Sequence, residues 1–138
     1  MKTSARNEIK GTITEIVKGQ INSEVVLSVS DKVTLKSVIT NDSVDEMELV
    51  VGETIYAIIK APLVIVAKDK PTRISTRNII ETKVIEVKKG IVNGELKLAM
   101  GDQTLTAVIT EESIEDLEFN VGDTVYALIK ATFIILAK

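Results

Sequence analysis

The feature that most constrains the fold is an internal repeat. Ser4-Ala5-Arg6-Asn7 returns as Ser75-Thr76-Arg77-Asn78, and Lys60-Ala61 returns as Lys130-Ala131. The spacing is 71 residues for the first motif and 70 for the second, so one copy lacks a single residue. We place this gap beside Asp31-Lys32, where a hairpin loop tolerates a change in length. A repeat of this length predicts two structurally equivalent units.

A short polar segment separates the two copies. It reads Asp69-Lys70-Pro71-Thr72-Arg73 and holds one of only two prolines in the chain, as is typical of a linker. We therefore predict a first domain at residues 1–68, a linker at 69–73 and a second domain at 74–138. A domain this small buries only about 60% of its unfolded surface. We expect the apolar last strand of each copy to pack against, or exchange with, neighbouring subunits of an oligomer.

Hydrophobic periodicity favours strands. Apolar and polar residues alternate from Ile9 to Ile13 and from Val25 to Val29, whereas Ile55–Ile59 and Leu63–Val66 are nearly continuous apolar runs. The chain is 45% hydrophobic but only 3% aromatic, so its core consists mainly of aliphatic side chains, many of them β-branched, which favour sheet. We predict an all-β fold of two tandem small OB-like (Greek-key) β-barrels, each with about five strands and one short helical turn.

The helical turn is predicted from a hydroxyl placed three residues before a carboxylate. Ser43 precedes Glu46 at this spacing, and Ser113 precedes Asp116. The pattern resembles a capping box that opens a helix at the serine. We expect Val44 and Met47 to face the core.

Composition excludes several classes of function. The net charge is −3 and the pI is about 5.1, so the chain lacks the basic field of a nucleic-acid or anionic-membrane surface. With neither cysteine nor histidine, thiol and imidazole catalysis and structural zinc are excluded. We predict no enzyme and no metal cation. The chain start lacks the apolar segment of a signal peptide, and the expected localisation is cytoplasmic.

Four side chains could act together as hydrogen-bond donors to an oxyanion. Arg6 and Lys60 supply two positive charges, and Ser4 and Thr40 supply hydroxyls. A pocket made only of donors favours a fully deprotonated tetrahedral dianion over hydrogen phosphate, which needs an acceptor for its proton. The alternative is ordinary surface ion pairing for the charged residues, with turn and helix-cap roles for the hydroxyls.

Together the motifs resemble the molybdate-binding Mop (TOBE-like) domain. The matching segments are Ser4-Ala5-Arg6-Asn7, Lys18-Gly19, Ile21-Asn22-Ser23-Glu24-Val25, Val38-Ile39-Thr40 with Ser43, and Lys60-Ala61-Pro62. The second copy repeats the pattern, so the chain is similar to the di-Mop molbindins over essentially its whole length. The resemblance implies a bound molybdate or tungstate oxyanion, no organic cofactor, a homotrimer with anions between domains of different subunits, and a role in molybdate storage and homeostasis.

The resemblance also implies which residues bind the anion. The first motif and the Lys-Ala step would lie on one side of it, and a threonine and a serine would approach from the neighbouring domain. By position these residues are Ser4, Ala5, Arg6, Lys60, Ala61, Thr40 and Ser43 in the first copy and Ser75, Thr76, Arg77, Lys130, Ala131, Thr110 and Ser113 in the second. Thr76 stands where the family has alanine, and Thr132 where it has proline, so the two sites are not expected to be identical.

A further class of family site lies near the three-fold axis. Its candidates here are the turn residues Lys18, Gly19, Ile21, Asn22, Lys89, Gly90, Val92 and Asn93. By default these residues form hairpin turns.

Two other functions stay open at this point. An OB-like module can bind nucleic acid or a protein partner, although this chain has few aromatic residues for base stacking. The same module can serve as an accessory sensor for a transporter or regulator. No phosphate-binding loop or helix-turn-helix pattern is present in this sequence.

Overall fold

The computed structural model describes residues 2–138; residue 1, where the first predicted domain begins, lies outside this range. The described chain forms strands and two short helices in an order that repeats. The elements are β1 (Arg6–Lys18), β2 (Asn22–Ser30), β3 (Val33–Thr40), α1 (Asn41–Glu46), β4 (Thr54–Lys60), β5 (Ile65–Ala67), β6 (Asn78–Lys88), β7 (Asn93–Met100), β8 (Gln103–Thr110), α2 (Glu111–Leu117), β9 (Thr124–Ile129) and β10 (Ile135–Ala137). Short 3₁₀ turns at Ala61–Leu63 and Ala131–Phe133 precede β5 and β10. The predicted all-β fold with one helical turn per copy is confirmed.

Each sheet takes its fifth strand from the other copy. The two strand orders are β10-β4-β1-β2-β3 and β5-β9-β6-β7-β8, and every pairing is antiparallel. Ile135 of β10 pairs with Ile58, and Ile65 of β5 pairs with Leu128. Exchange of the last strands was predicted, but with neighbouring subunits; here the other half of the same chain receives them. Covalent linkage keeps that half at a high effective concentration.

Polar contacts fix the ends of the exchanged strands. The Lys138 ammonium lies 2.7 Å from the Glu53 carboxylate, and Lys68 lies 3.5 Å from Asp123 in the equivalent place. The buried Ser37 hydroxyl also donates to the carbonyl of Ile134 at 2.7 Å, just before β10. The exchanged strands are therefore held by side chains as well as by backbone pairing.

The exchange joins the two half-barrels through one hydrophobic core. Val25, Leu27 and Ile59 are fully buried in the first copy, and their packing cluster continues into Leu96 and Ile129 of the second. Each small unit thereby obtains the cover that its own residues could not supply.

The apolar runs at the end of each copy are less continuous than strands buried on both faces. Leu63 belongs to a 3₁₀ turn, and Ile65 is 54% exposed. In the second copy Ile135 is 59% exposed, whereas Leu136 is buried. The three-residue strands β5 and β10 therefore cover the core with one face only.

Two asparagines lock each half-barrel to the other. The Asn7 side-chain amide donates to the Thr106 carbonyl at 2.8 Å and accepts from the Thr106 N–H at 2.7 Å. Asn78 makes the same two bonds to Lys36, at 2.9 and 2.7 Å, and also donates to the Ile129 carbonyl. Both side chains are buried. They satisfy backbone groups at the open edges of β8 and β3, so we call them the asparagine clasps.

The single-residue difference between copies is taken up inside a strand. The turns after β2 and β7 both contain two residues, 31–32 and 101–102. The register of β2 against β3 shifts between Ser28 and Ser30, which makes Val29 the extra residue of a β-bulge, whereas β7 and β8 pair without a shift. The predicted position beside Asp31-Lys32 is therefore two residues too late, because a bulge absorbs an extra residue without altering the turn.

Both helices begin earlier than the predicted capping box. Thr40 is the N-cap of α1, and its hydroxyl accepts the backbone N–H of Ser43 at 3.1 Å. Thr110 caps α2 through Ser113 in the same way. The prediction of a cap at Ser43 is wrong, because a threonine three residues earlier, at the end of a strand, already satisfies that N–H. Among the residues 2–138, no helix is long and apolar enough to cross a membrane.

Replacing a clasp asparagine should destabilise the protein. Asn78→Ala leaves the N–H and carbonyl of Lys36 without partners, and we expect a loss of about 1–3 kcal/mol in the free energy of unfolding, measured by urea denaturation. Asn7→Ala should behave similarly. Asn22→Ala, at an exposed position, is the control and should change stability by less than about 0.5 kcal/mol. Equal stabilities of the Asn78 and Asn22 variants would contradict the clasp.

Because the halves exchange strands, we predict that neither half folds stably without the other. Residues 1–68 and 69–138, produced separately, should not persist as folded monomers, because β4 and β9 each lack their edge partner. Mixing them should restore a one-to-one complex with the circular dichroism spectrum of the intact chain. A separate half that remains monomeric and melts at the temperature of the whole protein would refute this dependence.

Candidate functional site

Strand pairing brings the first motif to the Lys-Ala step. Arg6 and Lys60 are direct partners across β1 and β4, and the Ala61 N–H donates to the Ala5 carbonyl at 2.9 Å. In the second copy Asn78 pairs with Ile129, so Arg77 and Lys130 are the next residues of their segments beyond this pair, at the same sheet end. We call these two places the Arg6 site and the Arg77 site.

The backbone at Arg6 adopts an unusual conformation. Its φ angle is +82°, in a region that residues other than glycine rarely occupy. The Ala5–Ala61 hydrogen bond on one side and the buried clasp at Asn7 on the other hold the chain in this state. Strained backbone of this kind persists where the surrounding structure fixes it. The direction in which the Arg6 side chain leaves the backbone is thus set by the fold.

Each arginine reaches a glutamate of the other copy. Arg6 Nη1 and Nη2 donate to the two carboxylate oxygens of Glu95 at 2.7 and 2.9 Å. Arg77 Nη2 donates to one oxygen of Glu24 at 3.1 Å. Sequence reasoning predicted clusters free of carboxylates and missed both partners. The available signal was that Glu24 and Glu95 occupy equivalent positions in the repeat.

The Arg6–Glu95 contact shifts the pKa values of both residues. The hydrogen bonds from Arg6 are the main cause that lowers the pKa of Glu95 below its ordinary value of 4.5, against an opposing effect of desolvation. The same contacts raise the pKa of Arg6. The Arg6 side chain remains 48% exposed, so part of the guanidinium is accessible to solvent and to a ligand.

The predicted hydroxyl residues lie at the ends of β3 and β8. Thr40 donates to the Ser43 Oγ at 2.8 Å, and Thr110 does the same to Ser113. Because each threonine supplies the proton of this contact, the serine hydroxyl keeps its own proton to donate elsewhere. Such a chain of hydroxyls polarises the terminal donor.

Strand register relates these hydroxyls to the arginines. Asn22 pairs with Thr40, and Glu24 pairs with Val38 two residues away. Side chains two residues apart share one face of a strand, so Glu24 and Thr40 lie on the same face. Because Arg77 binds Glu24, it is joined to the strand pair that carries Thr40. Within the chain, each arginine therefore contacts the strand pair of the other half.

The candidates for the second class of site form hairpin turns. The Gly19 N–H donates to the Asn22 carbonyl at 2.8 Å, and Lys18 contacts Asp45 at 2.6 Å. In the second copy the Gly90 N–H donates to the Glu111 carboxylate at 3.1 Å. The other candidates, Ile21, Lys89, Val92 and Asn93, are exposed at these turns. The contacts of Lys18 and of the Gly90 N–H are thus to carboxylates, whereas the Gly19 N–H bonds within its own turn.

Besides Thr132 in place of Pro62, two side-chain differences distinguish the principal sites. Thr76 replaces Ala5; it is buried, and its hydroxyl has no hydrogen-bond partner. The Lys130 ammonium lies 5.2 Å from the centre of the Phe133 ring, whereas Lys60 has Leu63 at the equivalent position. A cation over an aromatic ring is attracted to its face, so Lys130 is steadied where Lys60 is not.

The fold and these sites define a tandem OB-like binding module with a cationic pair in each half. Within the part of the chain that is described, no group of three or more histidine, cysteine, aspartate or glutamate residues could hold a metal ion. A family model described as "TOBE domain" matches residues 3–66 and 74–136. The chain belongs to the TOBE domain family.

Known relatives carry molybdenum-related names. The chain is 40% identical over 139 residues to the molybdenum-pterin-binding protein MopA of Rhodobacter capsulatus, with 99% of this chain and 52% of MopA covered. It is 31% identical over 138 residues to the molybdenum transport protein ModE of Azotobacter vinelandii, covering 99% of this chain and 51% of ModE. The chain thus spans about half the length of these curated relatives.

A solved structure matches the whole chain. It is a crystal structure of the cytoplasmic molybdate-binding protein ModG with molybdate bound. The TM-score is 0.93 at 34% sequence identity, and the match covers 99% of both chains. The arrangement of the two halves is therefore shared with a protein that holds molybdate.

The Arg6–Glu95 pair should make stability depend on pH. Because the pKa of Glu95 is lowered in the folded state, the contribution of the pair is complete above the ordinary value of 4.5 and is lost as the pH falls through the folded-state value. Glu95→Gln should therefore lower the melting temperature at about pH 6, and this difference from the wild type should shrink as the pH falls below 4.5. Arg6→Gln should show the same profile. A difference between wild type and Glu95→Gln that does not vary with pH would contradict the assignment.

Proposed function

We propose that the protein binds molybdate reversibly and without chemical change, at the Arg6 and Arg77 sites. The observation that carries the proposal is the pairing of Arg6 with Lys60, together with the equivalent position of Arg77 and Lys130 directly beyond the Asn78–Ile129 pair. The full-length likeness to ModG with molybdate bound supports it. Tungstate has the same shape and charge as molybdate, and we propose it as a second ligand.

The chemistry of the sites suits a tetrahedral dianion. Arginine and lysine together carry two positive charges, and all of their polar hydrogens are donors. A fully deprotonated oxyanion accepts hydrogen bonds at every oxygen, so it needs no acceptor from the protein. In the Arg77 site, the Ser43 hydroxyl at the end of the Thr40–Ser43 chain is a further donor. Charge-assisted hydrogen bonds of this kind are stronger than neutral ones.

We further propose a homotrimer as the working assembly. The exposed apolar side chains Ile21, Ile91 and Val92, at the turns after β1 and β6, are 74%, 99% and 73% exposed. Exposed apolar clusters of this kind often mark contacts with another protein surface. Placed against copies of themselves, they would be buried together.

The cellular role that fits these properties is storage or buffering of molybdate in the cytoplasm. Reversible binding at more than one site per chain suits a protein that takes up and releases an ion. The cytoplasmic description of ModG supports this localisation. Delivery to a transporter or regulator would use the same sites.

Replacing the lysines should weaken anion binding while sparing the fold. Lys60→Gln and Lys130→Gln each remove one positive charge at an exposed position, and we expect about a tenfold loss of molybdate affinity at one site in each variant. Isothermal titration calorimetry measures this. Lys32→Gln, at the tip of the β2–β3 hairpin, is the control and should bind as the wild type does. The proposal fails if neither lysine variant differs from this control.

A further inference from the structure

A binding site made only of hydrogen-bond donors would not include Glu95 and Glu24, the carboxylates that contact the two arginines. Glu95 occupies the Nη1 and Nη2 edge of Arg6, and Glu24 occupies one nitrogen of Arg77. Both carboxylates are mostly shielded, with side-chain exposures of 24% and 26%. Each glutamate comes from the half opposite to its arginine. The contact is therefore a property of the assembled fold, not of either copy alone.

Charge balance shows what these carboxylates do to an incoming anion. With its glutamate in place, an arginine–lysine pair has a net charge of +1, which leaves a dianion only half compensated. A carboxylate close to a dianion also repels it, and this repulsion grows as water is excluded. The guanidinium can donate all of its hydrogen bonds to the anion only when its contact with the glutamate is broken.

We propose that Glu95 and Glu24 set the affinity of the two sites by competing with the bound anion for Arg6 and Arg77. This inference rests on the proposed function. Each glutamate holds its arginine, and the oxyanion must displace the glutamate to bind. The two residues are thus affinity-determining residues of the site.

The two contacts are unequal, so the two sites fill in order. Arg6 is held by two hydrogen bonds of 2.7 and 2.9 Å, whereas Arg77 is held by one of 3.1 Å. A planar two-point contact is the stronger arrangement for a guanidinium. More free energy is needed to break the arginine–glutamate contact at the Arg6 site than at the Arg77 site. The anion therefore binds to the Arg77 site first. Lys130, steadied by Phe133, favours the same order.

The test compares three variants that each remove one negative charge. Glu95→Gln and Glu24→Gln act at the two contacts. Glu86→Gln is the matched control, since Glu86 contacts Lys97 and lies on β6 outside both arginine contacts. Molybdate and tungstate binding to the intact protein are measured by isothermal titration calorimetry at constant ionic strength. We expect Glu95→Gln to tighten the weaker site about three- to tenfold. Glu24→Gln should tighten the stronger site by less, and Glu86→Gln should change neither.

The outcomes separate this inference from the proposed function. If the wild type binds molybdate and Glu95→Gln binds it equally or more weakly, the glutamate positions the arginine instead of competing, and the inference is overturned. If the wild type binds neither oxyanion, the proposed function itself fails. If Glu95→Gln does not fold, the inference is tested by NMR spectroscopy of the ¹⁵N-labelled wild type. The signal to follow is that of the Arg6 Nε–H. It must shift when molybdate is added, and an unchanged signal in the liganded protein overturns the inference.

Discussion

The structure depends on the asparagine clasps. Asn7 and Asn78 each present an amide that imitates the hydrogen-bonding edge of a strand, and each satisfies one backbone residue of the opposite half. Because these groups are buried, a missing partner would leave an unsatisfied donor and acceptor in a dry environment. The clasps and the exchanged strands β5 and β10 both hold the two halves together. Together they make two marginal half-barrels into one unit with a shared core.

The clasps also explain where the cationic residues stand. Each asparagine directly follows the arginine of its motif, so anchoring Asn7 to β8 and Asn78 to β3 carries Arg6 and Arg77 to the opposite half. There each arginine meets the glutamate of the neighbouring strand, Glu95 or Glu24. The motif thus combines a buried structural residue with an exposed charged one. A single four-residue segment both joins the halves and places a donor at their junction.

Much of the fold could be predicted because its signals are local. The repeat, the period of two in Ile9–Ile13 and the hydroxyl–carboxylate spacing after Ser43 depend on neighbouring residues only. Even so, the helix start was misplaced by three residues, since Thr40 at the end of β3 competes for the same N–H. The approach of Arg6 to Lys60 was inferred because both motifs recur together.

The remaining features are non-local, and no single-sequence pattern encodes them. The sequences of β5 and β10 differ at one residue only, Val66 against Leu136, so neither strand carries a local signal for pairing with β4 or with β9. The clasps could not be predicted, because an asparagine near a strand start has no local mark of a distant backbone partner. The Arg6–Glu95 contact joins residues 89 positions apart. It becomes visible only once the halves are assembled.

We propose that assembly of the two halves creates two oxyanion sites per chain, one beside Arg6 and Lys60 and one beside Arg77 and Lys130. Anomalous diffraction at the tungsten absorption edge, from crystals grown with tungstate, tests it most directly because each bound ion is located without reference to the protein. We expect one strong peak beside each arginine and lysine of the two sites in every chain. Peaks confined to the turns at Gly19 and Gly90, or none at either pair, would contradict it.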